Sequence, residues 1–225
     1  MRLAMPRLDS PVEILKTVWD GLKPDSCPYR YNFHLHTVFS DGRLDPTNLI
    51  DQALTLGLEG LAITDHHTLG GYWQARHHLE HYGSVATGLR LWTGVEINAA
   101  LLDIEVHILG YGFDPHHAAL QPYLQRVGVT GDAYQAGAVI ESIHAAGGLA
   151  VLAHPARYKR PAAELIPVAA SLGIDGAEAY YGYGNPQPWE PSPVETAEVL
   201  TLADRFGLWS TCGTDTHGLN IQARI

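Results

Sequence analysis

His34 and His36 stand two residues apart in Phe33-His34-Leu35-His36, an alternation of apolar and polar residues that predicts a β-strand. Both imidazoles then face one side while Phe33 and Leu35 face the other, and two imidazoles so placed can hold one divalent cation. Ser40-Asp41-Gly42 follows, a turn tripeptide that carries a carboxylate. A second predicted strand ends in Thr64-Asp65-His66-His67, and Asp215-Thr216-His217 repeats the two-apart spacing after a later one. Glu96 lies between Val95 and Ile97, His107 between Val106 and Ile108, and His154 closes the apolar run Leu149–Ala153. A carboxylate inside an apolar strand must be paired or coordinated, because burying it alone costs on the order of several kcal/mol.

Each of these residues has a plainer reading when taken singly. Asp41 is a turn former, His107 a hydrogen-bonded core histidine, and Glu96 the partner of an unseen arginine. Their recurrence at predicted strand ends favours a metal site at the mouth of a parallel sheet or barrel. The set is His34, His36, Asp41, His66, Glu96, His107, His154, Asp215 and His217. Nitrogen and oxygen ligands without thiolates suit manganese first, with zinc or iron next, and magnesium or calcium less. The set is too large for one ion and, with a bridging carboxylate, large enough for two or three. Arg157, Lys159 and Arg160 follow His154 and read either as solvated charge or as an anion clamp beside the metals. Glu178 is a weaker ligand candidate, since a basic neighbour would satisfy it equally. His77, His78 and His81 read as a solvated helix face.

Hydrophobic periodicity supplies the elements that must position these groups. Ser10-Pro11-Val12-Glu13 is a capping box, and Ile14, Leu15, Val18, Trp19 and Leu22 form an apolar helical stripe behind it. Residues 1–30 therefore read as an N-terminal helical extension packed outside the main domain, residues 31–225. Strands are expected over 58–64, 90–99, 104–111, 149–153, 176–180 and 208–213. Helices are expected over 45–56, 68–82, 132–146, 164–172 and 196–206, with a loop at 83–88 and a short helix over 122–127. Residues 182–193 form a Pro-rich loop long enough to act as a lid. Its Trp189 reads as a packing anchor, with base stacking the alternative.

The 225 residues suit one domain of barrel size. A net charge of −10 argues against a nonspecific grip on long nucleic acid, but a small phosphorylated substrate remains compatible if bound cations supply local positive charge. Cys27 and Cys212 show neither zinc-finger spacing nor a disulfide framework, which fits a reducing cytoplasm. No apolar run is long enough to span a bilayer. Oligomeric state is not encoded in any readable signal.

His34-Leu-His36, Ser40-Asp41-Gly42, Thr64-Asp65-His66, Gly94-Val-Glu96, His107-Ile-Leu-Gly110, Ala153-His154-Pro155 and Gly213-Thr-Asp215-Thr-His217 together resemble the ordered motifs of the PHP (polymerase and histidinol phosphatase) superfamily. The resemblance runs from about residue 31 onward. It implies an α/β fold, a distorted (β/α)7 TIM-like barrel, here with an added N-terminal helix, and a metal-dependent phosphoesterase activity. It implies that His34, His36, Glu96 and Asp215 hold one metal. Glu96 would bridge to a second held with His107 and His154, and Asp41, His66 and His217 would hold a third. Aspartate at position 41, with Ala153-His154-Pro155-Ala156-Arg157-Tyr158, is similar to relatives acting on small phosphates. These include 3′,5′-nucleotide bisphosphatases and enzymes that trim RNA or oligonucleotides, and Arg157 matches a phosphate-contacting arginine there. The interval from His107 to His154 lacks their long insertion, and the 182–193 loop is unlike theirs, so the substrate stays open.

The implied mechanism is attack on a phosphomonoester, nucleotide or metabolite, by a hydroxide shared between two metals. Arg157 would grip phosphate oxygens, Asp65 would orient the site from beside His66, and His217 or a water would protonate the leaving oxygen. Two alternatives stand beside it: a 3′–5′ exonuclease on short oligonucleotides, and a non-catalytic metal-binding barrel.

Overall fold

The computed structural model describes residues 10–81 and 88–225. Residues 1–9 of the expected extension, Tyr82 of the expected helix over 68–82 and most of the expected 83–88 loop lie outside the described residues. Helix α1 (Pro11–Asp20) opens as its capping box predicts, with Ser10 Oγ accepting from the Glu13 N–H at 3.2 Å. Leu15 and Trp19 are buried, and the Trp19 indole meets Phe33 and Tyr111 edge-on. Helix α1 is thus fixed to the core by aromatic packing.

Two sheets carry the chain. The first holds β1 (Tyr31–Asn32), β2 (Gly60–Ala62) and β3 (Arg90–Trp92), all parallel. The second holds β4 (Gly94–Leu101), β5 (Ile104–Tyr111), β6 (Leu149–Leu152), β7 (Gly176–Tyr180) and β8 (Trp209–Cys212) in that order. Helices α2 (Pro46–Leu56), α3 (Gly70–His81), α4 (Ala136–Ala145), α5 (Ala162–Ser171) and α6 (Pro193–Phe206) intervene. Asp45 caps α2 through the Thr47 N–H at 2.8 Å, and Gly57 ends it in the left-handed conformation at φ 73°.

The sheets meet at two single bridges, Leu35 with Thr216 and His66 with Glu96, rather than through a continuous ladder. The first lies in a short run of backbone hydrogen bonds: Phe33 N to Cys212 O, Asp215 N to His34 O and His36 N to Thr216 O. The predicted alternation therefore survives beyond the two-residue β1. Phe33 and Leu35 are fully buried, and so are His34 and His36 on the other side.

Three expectations change. The strand expected over 90–99 breaks at Thr93, so β3 and β4 belong to different sheets. Thr93 Oγ donates to Phe113 O at 2.9 Å, and Gly94 passes so close to Ile63 O that a Cβ would sit 2.6 Å from it. The short helix expected over 122–127 is instead a 3-10 turn, Ala118–Tyr123, where Pro122 removes a backbone donor. The sheet is also not wholly parallel. β5 runs antiparallel to both β4 and β6. Its first half, not its end, therefore reaches the rim where β6, β7 and β8 stop.

The β4–β5 hairpin turns through Leu102 and Asp103, both with positive φ (50° and 62°). β5 pairs with β6 only from Ile108 onward, so the tip projects past β6.

Candidate metal centre

Glu96 sits third in β4, opposite Leu109, and Asn98 sits opposite His107. Glu96 and His107 are therefore diagonal neighbours on one sheet face, and His107 Nδ1 lies 2.7 Å from Glu96 Oε1. On the other oxygen, Glu96 Oε2, converge His34 Nε2 and His36 Nε2, each at 3.0 Å, and His66 Nε2 at 3.5 Å. Asp215 Oδ1 lies 3.2 Å from His36 Nε2 and 3.4 Å from His34 Nε2. Asp41 Oδ2 lies 3.1 Å from His217 Nε2 and 3.8 Å from His66 Nε2.

Three groups have donor atoms all within 4.8 Å of one another: His34, His36, Glu96 and Asp215; His36, Asp41, His66 and His217; and His66, Glu96 and His107. All nine expected residues are thus brought to one place except in one detail. His154 Nε2 is 3.4 Å from Glu96 Oε1 but belongs to none of the three groups. Its backbone is unusual, with φ 28°, and Asp215 too is left-handed at φ 54°. Strained backbone at two polar residues of one cluster is the kind of feature that accompanies function.

The donor set fits divalent cations on chemical grounds. His34 Nε2 and His36 Nε2 lie 3.1 Å apart and share the same carboxylate oxygen. Donor atoms crowded in this way must share either protons or a cation. The Nδ1 atoms of His36, His66 and His154 are buried without a hydrogen-bond partner.

The titration behaviour of the metal-free cluster follows from burial and pairing. Burial would raise the Glu96 carboxyl, but His34, His107 and His66 hold it well below the carboxylate range. Burial would likewise raise the Asp215 carboxyl, but His34 and His36 outweigh it and hold the group well below the carboxylate range. Asp41 is lowered in the same sense, against burial, by His217, His36 and His66. Burial disfavours the His36 imidazolium, yet Asp215 and Glu96 push it up to about 9. His34 is raised against burial by Glu178, Glu96 and Asp215. His66 falls to about 4 through burial, which Glu96 opposes and His36 and His107 reinforce. Protons and cations therefore compete for the same donors.

A surrounding layer fixes these groups. Glu178 accepts at 3.0 Å from His34 Nδ1 and at 2.9 Å from the His154 N–H. Its role is to orient a histidine pair, and its signal in the sequence, an acid inside the apolar strand Gly176–Tyr180, was the same as that of Glu96. Gly213 has no room for a side chain, since a Cβ there would overlap His34. Asp65 does not hold the His66 ring. It accepts from the Thr37 N–H and hydroxyl, both at 2.7 Å, and from Ser40 Oγ at 2.8 Å, and so holds the loop that presents Asp41.

Asp215 Oδ2 has three donors: Tyr181 OH at 2.7 Å, Arg224 Nε at 2.8 Å and Arg157 NH1 at 3.3 Å. Tyr181 and Arg224 carried no local signal, because only the fold brings them to Asp215. Arg157 makes the longest of the three contacts, and its side chain is 46% exposed. Arg160 is occupied elsewhere, by Leu102 O and Glu164, and so does not belong to an anion clamp. Trp189 is buried and anchors its loop. His78 pairs with Asp51, away from the cluster.

Comparison with known proteins agrees with this geometry. The PHP domain family matches residues 32–170, more than half of the chain. The 5′-3′ exoribonuclease Rnm of Salmonella typhimurium is 26% identical, over 83% of this chain and 85% of that protein. The aligned stretch runs to 255 residues, longer than this chain, so the relative carries segments that are absent here. A 3′,5′-nucleoside bisphosphate phosphatase of Chromobacterium violaceum is 36% identical, over 52% of this chain and 40% of that protein. Among solved structures, one from Bifidobacterium adolescentis assigned as a metal-dependent phosphoesterase superposes with a TM-score of 0.68 at 26% identity. That superposition covers 85% of this chain and 88% of the other.

Proposed function

Because the chain belongs to the PHP family, we propose that it is a metal-dependent phosphoesterase that hydrolyses a small phosphorylated substrate. The observation that carries this reading is Glu96, whose two oxygens are shared between separate sets of imidazoles. Neither a turn former nor a surface ion pair needs that arrangement. His34, His36, Glu96 and Asp215 would hold one cation; His107 with Glu96, and His154 beside them, a second; Asp41, His66 and His217 a third. Such ions, manganese first, supply Lewis acidity toward phosphoryl oxygens and make water more acidic.

The protein's own groups then have separate tasks. Arg157 can leave Asp215 for a phosphate oxygen at little cost, because Tyr181 and Arg224 keep Oδ2 satisfied. His217 has Nδ1 on Asp215 O at 2.8 Å and Nε2 toward Asp41 at 3.1 Å. It would serve either as a ligand of the third cation or, with that cation absent, as the proton donor to a departing alcohol; with the cation bound, water would supply that proton. The two sheets, bridged at Leu35–Thr216 and His66–Glu96, read as the distorted barrel that the family resemblance implies. No described helix is long and apolar enough to cross a membrane. The two free buried cysteines suit a reducing cytoplasm.

The exonuclease reading keeps a specific support, the match to Rnm along most of both chains. That relative's stated polarity is 5′-3′, opposite to the 3′–5′ direction expected from the sequence. A charge of −10 favours short oligonucleotides over long ones if this reading holds. The deciding experiment incubates the manganese-loaded protein with mononucleotides, sugar phosphates and a labelled 5′-phosphorylated oligonucleotide. Release of inorganic phosphate, abolished by chelation, is expected; shortening of the oligomer alone selects the exonuclease, and the absence of both overturns the hydrolase reading.

A further inference from the structure

The cluster is open on one side only. His34, His36, Glu96 and His154 are buried, whereas Asp41, His66, His107 and His217 reach solvent. Two segments border that opening. Phe39 lies between His36 and Asp41 on the loop held by Asp65. Its ring lies against Gly70, where any side chain would collide with it. Arg126 comes from the 124–130 segment, whose backbone is tied beside the cluster by the Arg126 N–H donating to His67 O at 2.8 Å.

Arg126 has three properties that its packing does not require. It holds a left-handed backbone, φ 65°, which a non-glycine residue seldom adopts. It makes no ion pair among the described residues, although the protein is acidic. Its guanidinium lies 5.4 Å over the Phe39 ring. Arg126 is also exposed, so this cation and the ring beneath it are open to solvent on segments joined to the cluster, Phe39 two residues before Asp41 and Arg126 through the carbonyl next to His66. Val38 and Val127, 52% and 65% exposed, flank these two residues in the chain and add apolar surface.

A planar guanidinium backed by an aromatic ring is a stacking platform for another flat ring. We infer that Phe39 and Arg126 form a subsite for the base of a nucleotide whose phosphate occupies the metal centre. The inference rests on the phosphoesterase reading and narrows its substrate class from phosphate esters in general to nucleotides or nucleotide ends. Arg126 and Phe39 act here on specificity and touch none of the proposed metal ligands.

The test measures binding to the manganese-loaded protein by calorimetry, with two ligands that lack a scissile oxygen. These are adenosine 5′-methylenephosphonate and the corresponding ribose 5-methylenephosphonate. The adenosine compound is expected to bind about tenfold more tightly, within the usual range for stacking one base. Phe39→Ala and Arg126→Ala should each erase most of that preference and leave the ribose compound's affinity unchanged. Arg126→Lys keeps the charge but not the plane, and should behave like Arg126→Ala. A preference retained in Arg126→Lys would make the group an anion contact and overturn the inference. So would equal weakening of both ligands in the alanine variants, or no base preference in the unaltered protein. Failure to bind either compound would overturn the inference and the phosphoesterase reading together. Phosphate release from ribose 5-phosphate, measured on the same preparation, reports on the phosphoesterase reading alone.

Discussion

The buried and the open halves of the cluster are built differently. His34, His36, Glu96 and Asp215 stand on or just beyond strands, their exposures are at most about 1%, and two of them have a partner behind them. Glu178 stands behind His34, and Tyr181 and Arg224 behind Asp215. Asp41, 55% exposed, and His217, 23% exposed, stand on loops and pair at 3.1 Å, with His217 Nδ1 held by a backbone oxygen, Asp215 O at 2.8 Å. The inner half is therefore a preorganised site whose charges cancel within the protein, and the outer half completes itself with solvent, cation or substrate. A buried ion pair is costly to break from one side, whereas an exposed one contributes little.

Variants can break this contrast or sharpen it. Glu96→Gln should have the largest effect, removing cations from both groups that share Glu96 and bringing turnover below detection. Metal analysis and phosphate release should fall together, and full activity in this variant would end the shared-ligand assignment. Arg224→Ala should come next, weakening metal binding by about 10–100-fold, the range typical of a residue that orients a ligand. Arg224→Lys should recover part of it, as read by titration calorimetry with manganese. Asp41→Asn should remove only the outer cation, so that mass spectrometry of the loaded protein finds the inner sites still filled. If it empties all sites, the two halves are not separate.

Arg157→Ala should raise KM about fivefold with metal content unchanged, the size of one hydrogen bond of ~1 kcal/mol. An unaltered KM would leave Arg157 as surface charge. The last effect is on stability, not turnover, and concerns pH. His36 is raised from its ordinary 6.5 to about 9, so the stability it contributes is complete below pH 6.5 and lost as pH rises through about 9. Melting temperature in chelator should therefore decline across that window, and manganese should flatten the decline. A flat profile in chelator would mean that the inner imidazoles are neutral throughout.

Much of this centre was legible in the chain. Two-apart histidines on an apolar strand, or an acid inside another, are ambiguous singly, as Glu178 shows, but their recurrence at successive strand ends is a signal that survives without knowledge of the fold. The alternation at 33–36 named the core pair Phe33 and Leu35 as well as the imidazoles. The break at Thr93 was hidden because Arg90 to Ala99 is uniformly strand-like, and only the crowding of Gly94 against Ile63 O shows where one sheet gives way to the other. The reversed direction of β5 was hidden too, since periodicity has no sense of direction. Arg224 and Tyr181 could not be found by spacing. They meet Asp215 through the fold, and an arginine among Gln222, Ala223 and Ile225 looks like any other. Asp65 was visible as an important acid, yet its partners, Thr37 and Ser40, depend on how the 37–41 loop returns to β2.

The hairpin of β4 and β5 has a consequence for how this centre can drift or be engineered. Side chains alternate between faces along a strand, so moving β4 by a single residue against β5 would turn Glu96 away from every imidazole it touches. Leu102 and Asp103, at a tip that bears no proposed ligand, therefore act as the alignment pin of the whole assembly. Both take a backbone shape that Asn-Gly adopts far more easily. A better-suited pair at the tip would stiffen the alignment without altering any atom that meets a cation, and an added residue there would dismantle the centre while leaving every ligand in the chain.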